Sequence, residues 1–469
     1  MGKGADIKTA GTPANDRGVH ADGEKFAFGL VHLEPGVTHW NARTYLYSAF
    51  WTIAFLSFLS SMQNYVLDQH LHIPEKEIGR SVGNLSFVGE MMFLLVSPLW
   101  GALSDKVGRR PIFALGFLWI GAGFALYPLA PNYQTLLIIR AMMGMGAAAL
   151  GGMMATVLSD YPQNYTRGRM GALSGLMNGF GALTGIFLLS KLPKFYSAKG
   201  FSEIQAGTYT FWTATALAVI TALVCIIGLK KGKPGKPVDR KPALVLMREG
   251  FGAAKLNPRL RLSYLESFIA RGDLLMLGTF LSTWIYQTSL QHGLSAPEAS
   301  ANMGRIGGIP QLCALLWAPI FGYILDKFDR ATTVIFAMTL AAAGYISVGL
   351  TPDITSVRAL PPLILLGIGE FSAIMAGQAL VAQEAPIDVR GSVLGVFAFC
   401  GAMGLLLLSK VGGEIASRID YGAVFLLVGA INALILLYAV YIRLKTGYKS
   451  PKAKMIEDMA ELSETFERG

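Results

Sequence analysis

The chain has 469 residues, of which 53% are hydrophobic and only 15% charged, with a mean hydropathy of +0.47. Soluble domains carry about 25% charged residues, so an ordinary soluble enzyme is excluded, and 26 Phe, 17 Tyr and 7 Trp exclude a disordered chain. The formal charge of +10 is explained by cations in cytoplasmic loops of a membrane protein, so no nucleic acid partner is expected.

Residues 1–44 are polar, with no apolar stretch of signal-peptide type, and read as a flexible cytoplasmic tail. A membrane span needs about 20 mainly apolar residues. Twelve follow: 45–67, 80–103, 111–129, 135–158, 168–190 and 207–229, then 262–288, 300–325, 331–350, 359–383, 391–412 and 421–443. They are numbered helices 1 to 12. The chain therefore divides into a tail (1–44), a six-helix half (45–229), a basic linker (230–261), a second six-helix half (262–443) and a C-terminal tail (444–469). The linker holds ten Lys/Arg, and its 242–256 stretch predicts a short amphipathic helix on the membrane surface.

With the N-terminus inside, 29 of the 40 Lys/Arg fall on inner segments. This predicts cytoplasmic termini and a multi-pass protein of the cell membrane. Cys225, Cys313 and Cys400 lie far apart in apolar runs, which offers no disulfide or zinc pattern. His70 and His72 in Asp68-Gln-His70-Leu-His72 do not complete a metal ligand set. No metal or cofactor is expected.

The two halves superimpose in sequence. Pro98, Gly101, Asp105 and Lys106 recur as Pro319, Gly322, Asp326 and Lys327 at an offset of 221. Gly144-Met-Gly146 recurs as Gly367-Ile-Gly369, and Asp160-Tyr-Pro162…Arg167-Gly168 as Glu384-Ala-Pro386…Arg390-Gly391, at 223–224. Three matches in one order predict an all-α fold of two halves related by a pseudo-two-fold axis along the membrane normal, around a central cavity.

Charges inside spans are expensive, about 2.5–3.5 kcal/mol near the bilayer centre on insertion scales, so they face a cavity or a partner. Glu90 (helix 2), Arg140 (helix 4), Glu266, Arg271 and Asp273 (helix 7) and Glu370 (helix 10) are the candidates for proton coupling or solute contact. Glu266 and Asp273, seven apart, share a helix face, whereas Arg271 and Asp273 point about 200° apart. Glu90 can pair with Arg140 or Arg271. Lys410 and Glu414 read as interfacial. Asn64, Asn178, Gln311 and Gln378 are neutral candidates for the cavity wall or for helix–helix hydrogen bonds.

Gly101-Ala-Leu-Ser-Asp105-Lys106-Val-Gly108-Arg109-Arg110-Pro111 resembles the signature loop of the major facilitator superfamily, and the resemblance extends over roughly 45–443. It implies twelve helices, secondary transport and a gating role for Gly101, Asp105, Arg109 and Arg110. Gly101 would let helices 2 and 11 approach, and Asp105 would meet Arg390 at the start of helix 11. Asp326, in a degenerate second copy, would do the same near Arg167. Leu137-Ile-Ile-Arg140-Ala-Met-Met-Gly144-Met-Gly146 resembles the helix 4 motif of proton-coupled members. Helix 5, with Gly171, Gly175, Gly179, Gly181 and Gly185, is similar to the glycine motif of drug/proton antiporters, but no proline lies between Gly171 and Ser190. Import and uniport therefore stay open beside export of amphipathic or drug-like compounds.

The expectation is a monomeric secondary transporter in the lipid bilayer, moving a small organic solute, with protons as coupling partner. A phosphate-binding loop is absent from the sequence, which disfavours ATP drive. A receptor or scaffold would want a large loop domain, and a membrane enzyme a catalytic constellation. Neither is visible in the sequence.

Overall fold

The computed structural model describes residues 24–27, 29–232 and 243–448; the side chains of Ala243, Asp273, Leu274 and Ile387 lie outside this description. Twelve helices are long and apolar enough to cross a membrane: His39–Gln69, Glu75–Val107, Arg109–Leu129, Tyr133–Asp160, Asn164–Ser197, Glu203–Gly228, Pro258–Gln291, Ala296–Lys327, Arg330–Gly349, Val357–Glu384, Arg390–Arg418 and Tyr421–Thr446. These keep the numbers 1 to 12. Several start where a polar side chain satisfies the first free N–H groups: Thr38, Asn132, Ser202, Asp329 and Asp420 each accept a backbone hydrogen bond three residues on. The apolar runs between caps leave no alternative to helix in lipid, because every backbone group must be satisfied within the segment.

The repeat in the sequence is a repeat of contacts. Gly144 of helix 4 lies against Gly89 of helix 2, and Gly367 of helix 10 against Pro310 of helix 8. Gly146 meets Trp119 and Ile120 of helix 3, while Gly369 meets Leu340 and Ala341 of helix 9. Gly181 abuts the Phe50 carbonyl of helix 1, and Gly404 the Phe268 carbonyl of helix 7. A side chain at any of these positions would separate backbones that now touch, which is why small residues recur in register.

Two regions depart from the sequence reading. Helix 7 begins at Pro258, inside the segment expected as linker, and the linker helix spans Ala243–Leu256. Part of the expected tail is folded. Helix 1 begins at His39, and ahead of it β1 (Lys25–Phe26) pairs antiparallel with β2 (Val31–His32). This strap lies on the loop between helices 4 and 5. Glu34 N–H donates to the Tyr161 carbonyl (2.8 Å), Gln163 N–H to the His32 carbonyl (2.8 Å), and Gln163 Nε2 to the Leu33 carbonyl (3.1 Å). Val31 and Leu33 are fully buried. Four apolar side chains spaced through a polar stretch (Phe26, Val31, Leu33, Val37) are the anchors, too sparse to read as a core in sequence.

Candidate functional site

Charge collects midway along the bundle, where the halves meet. Glu90 of helix 2 faces Arg271 of helix 7 across the seam at 3.9 Å, with both side chains part-buried. Arg140 approaches from helix 4. Its guanidinium lies over Gly89, which leaves it room by having no side chain, and its Nε donates to the Leu85 carbonyl at 3.3 Å. Both guanidinium groups are within Coulombic reach of the Glu90 carboxyl. Arg271 itself packs on Gly401 of helix 11. Among the described residues this sets one acid between two cations, one from each half.

The other expected acids divide. Glu370 is buried in helix 10. Glu266 is fully buried in helix 7 and does not reach the Glu90 cluster; its carboxyl lies against Gly377 of helix 10. Asp273 lies on helix 7, and its side chain is outside the described residues. Among the neutral candidates, Asn64 spends its amide on the other half, with Nδ2 3.5 Å from the Ser282 carbonyl. Asn178 and Gln311 are half-buried and Gln378 exposed, and none of the three makes a hydrogen bond among the described residues.

The seam closes at one end only. Among the described residues, every hydrogen bond and ion pair between the halves lies at or beyond the level of Glu90–Arg271, toward the end away from the termini. Arg80 binds Glu414 through Nε (2.9 Å) and Nη2 (3.0 Å), and Lys410 Nζ donates to Asn84 Oδ1 (2.6 Å). Tyr286 donates to Asp68 (2.8 Å), Gln291 to Glu75 (2.5 Å), and Ser300 to the Ser190 carbonyl (2.8 Å). Gly83 of helix 2 touches Ser409 and Gly413 of helix 11, and its repeat-mate Gly304 touches Ile186 and Ser190 of helix 5. The two seams are thus symmetry equivalents. Each passes a π-helical turn or its neighbour: Thr184–Leu188 in helix 5 and Met276–Leu281 in helix 7. At the terminal end, Gly168, Gly171 and Gly175 of helix 5 and Gly391 and Gly395 of helix 11 face open space. The cleft opens there.

In this conformation the signature loop keeps to its own half. Asp105 pairs with Arg109 (2.6 Å), which also holds Ser104 Oγ (2.6 Å) and Asp160 (3.1 Å), all within one half. No hydrogen bond or ion pair joins Asp105 to Arg390 among the described residues; Arg390 is exposed. Arg110 is half-buried at the start of helix 3. The Gly101 carbonyl accepts from Ser104, and the close approach of helices 2 and 11 falls at Gly79 and Gly83 instead. Asp326 is 85% exposed and 3.6 Å from Arg330, and Arg167 binds Asn164 and the Ser159 carbonyl. The physical reason is the open end: partners on opposite halves are apart, so Arg109, Arg167 and Arg330 turn to groups of their own half.

Two groups were not legible in the sequence. Lys410 and Glu414, read as interfacial charges, form the far-end seam with Arg80 and Asn84. Arg259, counted among linker cations, is buried at the base of helix 7. Its Nη1 reaches Asp329 (2.8 Å) and Glu384 (3.6 Å), Nε the Thr446 hydroxyl (3.0 Å) and Nη2 the Gly447 carbonyl (2.8 Å), while Arg443 also binds Asp329 (3.3 Å). The degenerate second loop copy, with Asp329 where the first has Gly108, was the available signal.

Twelve membrane helices in two equivalent halves, meeting at an intramembrane charge cluster with one end shut, define a multi-pass membrane transporter. The chain belongs to the Major Facilitator Superfamily, whose model matches residues 45–409. It is 27% identical over 409 residues to magnetosome protein MamH of Paramagnetospirillum magneticum, covering 84% of this chain and 90% of that one. It is 25% identical over 352 residues to multidrug resistance protein MdtG of Escherichia coli, covering 74% and 80%. The fold is similar to the crystal structure of nucleoside transporter NupG (TM-score 0.66, 14% identity, 86% of this chain and 98% of that one).

Proposed function

We propose that the protein is a monomeric, proton-linked secondary transporter of the cell membrane that exports a small amphipathic organic solute by alternating access. The single observation that carries this reading is the Glu90–Arg271 contact with Arg140 beside it, at the depth where the closed seam gives way to the open cleft. A titratable acid between two fixed cations interacts differently with a proton, with an ionic solute, and with each conformation, and such differential interaction is what coupling demands. With the termini in the cytoplasm, as the cation distribution predicts, the cleft opens inward. The similarity to MdtG, named a multidrug resistance protein, supports export of amphipathic compounds. The absence of a proline between Gly171 and Ser190 of helix 5 favours, as a second reading, proton-linked uptake or uniport of an organic acid or metabolite.

The test starts with a thermal-shift screen of amphipathic organic ions on purified protein, since a ligand that binds the folded state raises its stability. Flux of a stabilising compound into proteoliposomes is then measured with and without a pH gradient. Gradient-driven accumulation is expected; flux indifferent to the gradient would leave a uniporter or another coupling ion.

A further inference from the structure

We propose that Glu266 is a proton-binding site set apart from the solute path, seated between helices 7 and 10 and shaped by the glycine at position 377. The inference rests on the proton-linked reading above and names one residue for it.

Glu266 is fully buried, and neither carboxyl oxygen has a hydrogen-bond partner among the described residues. The Gly377 backbone approaches Oε2, and its N–H is committed to the helix 10 ladder. A Cβ at 377 would stand 2.8 Å from Oε2, so glycine there makes the room the carboxyl occupies. Packing does not demand an acid. Register of the repeat (Phe50 with Phe268 on Gly181 and Gly404) places Ser48 of helix 1 opposite Glu266, and the Ser48 hydroxyl donates to the Thr44 carbonyl. The first half thus fills this place with a small, fully partnered side chain.

The charged groups on the surrounding elements are engaged or distant. On helix 7, Arg259 binds Asp329, and Arg271 lies on Gly401 and faces Glu90; the Asp273 side chain is outside the described residues. On helix 10, Glu384 binds Asn257 (2.9 Å), and Glu370 lies two turns from Gly377. Helix 11 carries no charge between Arg390 and Lys410, and Ser267 Oγ donates to its Phe397 carbonyl. On helix 12, Arg443 binds Asp329, and in the linker helix Glu249 accepts from Ser392. Tyr264 donates to the Gly250 carbonyl.

A bare carboxylate in this place would lack both water and a donor, which disfavours the charged form. The proton is the partner the geometry accommodates. Exchange is proton transfer alone: one carboxyl O–H bond breaks and water takes the proton, with no other bond changed. Water reaches Glu266 only when helices 7 and 10 part, so release is tied to a change of conformation.

Infrared titration of the full-length protein in liposomes tests this without any solute. Wild type is expected to show a carboxylic C=O band, at neutral pH, of an acid in apolar surroundings; Glu266→Gln loses it, with helix content unchanged. Gly377→Ser, whose Cβ displaces the carboxyl and whose hydroxyl then meets it, shifts the band to lower frequency and decides the matter if Glu266→Gln does not fold. A band retained in Glu266→Gln, or unmoved in Gly377→Ser, overturns the site. Either result stands apart from the flux assay. A retained band with gradient-driven flux sinks this site alone, and a lost band with gradient-indifferent flux sinks the proton-linked reading alone.

Discussion

Arg80, near the start of helix 2, grips Glu414, near the end of helix 11, through two nitrogens at 2.9 and 3.0 Å, and one turn below it Gly83 lies against the Gly413 backbone. The glycines let the helices touch and the ion pair latches them. Its side chains are partly exposed, so water and salt screen the pair and the latch is weak, which suits a contact that opens and closes.

Glu414→Gln is therefore expected to shift the population toward the far-end-open state by a few-fold, not to lock it. Ser282, buried at the same closed end of the bundle, where its carbonyl accepts from Asn64 and its hydroxyl faces Gly307, is the reporter. On a background without Cys225, Cys313 and Cys400, Ser282→Cys should react with a water-soluble maleimide several-fold faster when Glu414 is neutralised. An unchanged rate would mean that the pair does not hold the seam.

Asp105→Asn tests the signature loop. In the present conformation Arg109 is shared by Asp105 and Asp160 within one half, remote from the Glu90 cluster. Flux should fall strongly while equilibrium solute affinity stays within several-fold. An equal loss of affinity would place Asp105 in the binding site.

At the base of helix 7, Arg259 uses three nitrogens in three directions, toward Asp329, Thr446 and Gly447. Lysine has one nitrogen and no fixed fork. Removing one partner of a buried pair costs about 3–5 kcal/mol; the bond of Arg443 to Asp329 offsets part of it. Arg259→Ala and Arg259→Lys should both lower the melting temperature in detergent by several degrees. Full rescue by lysine would show that charge alone suffices.

His70, just past helix 1, packs against Tyr65 and bonds Thr208 (3.3 Å), and burial lowers its pKa to about 4. Unfolded histidine titrates near 6.5. Between these values the unfolded chain binds more protons, so stability rises with pH. The contribution is fully present above about 6.5 and lost as pH falls toward 4. His70→Gln should flatten the acid limb of melting temperature against pH; a limb of wild-type slope would assign the loss to other groups.

Much of this protein was determined by its sequence alone. Twelve apolar runs can only be helices in lipid, and the 221–224 offsets point to two equivalent halves, because glycines in register impose the same helix crossings twice. The intramembrane charges were legible one by one, since each is costly where it lies. Their pairing was not. Glu90 had two cations within helical reach, and only the packing of helix 7 on Gly401 aims Arg271 at it. Nor could sequence separate interfacial charges from a latch: Arg80 and Glu414 lie 334 residues apart, and their meeting depends on which end of the bundle is shut. Asp105 and Arg390 show the converse, a plausible pair kept apart by the open end. Spacing along a chain reports neighbours on one helix; contacts between helices, and the burial that leaves Glu266 without a partner, are decided by how the halves close.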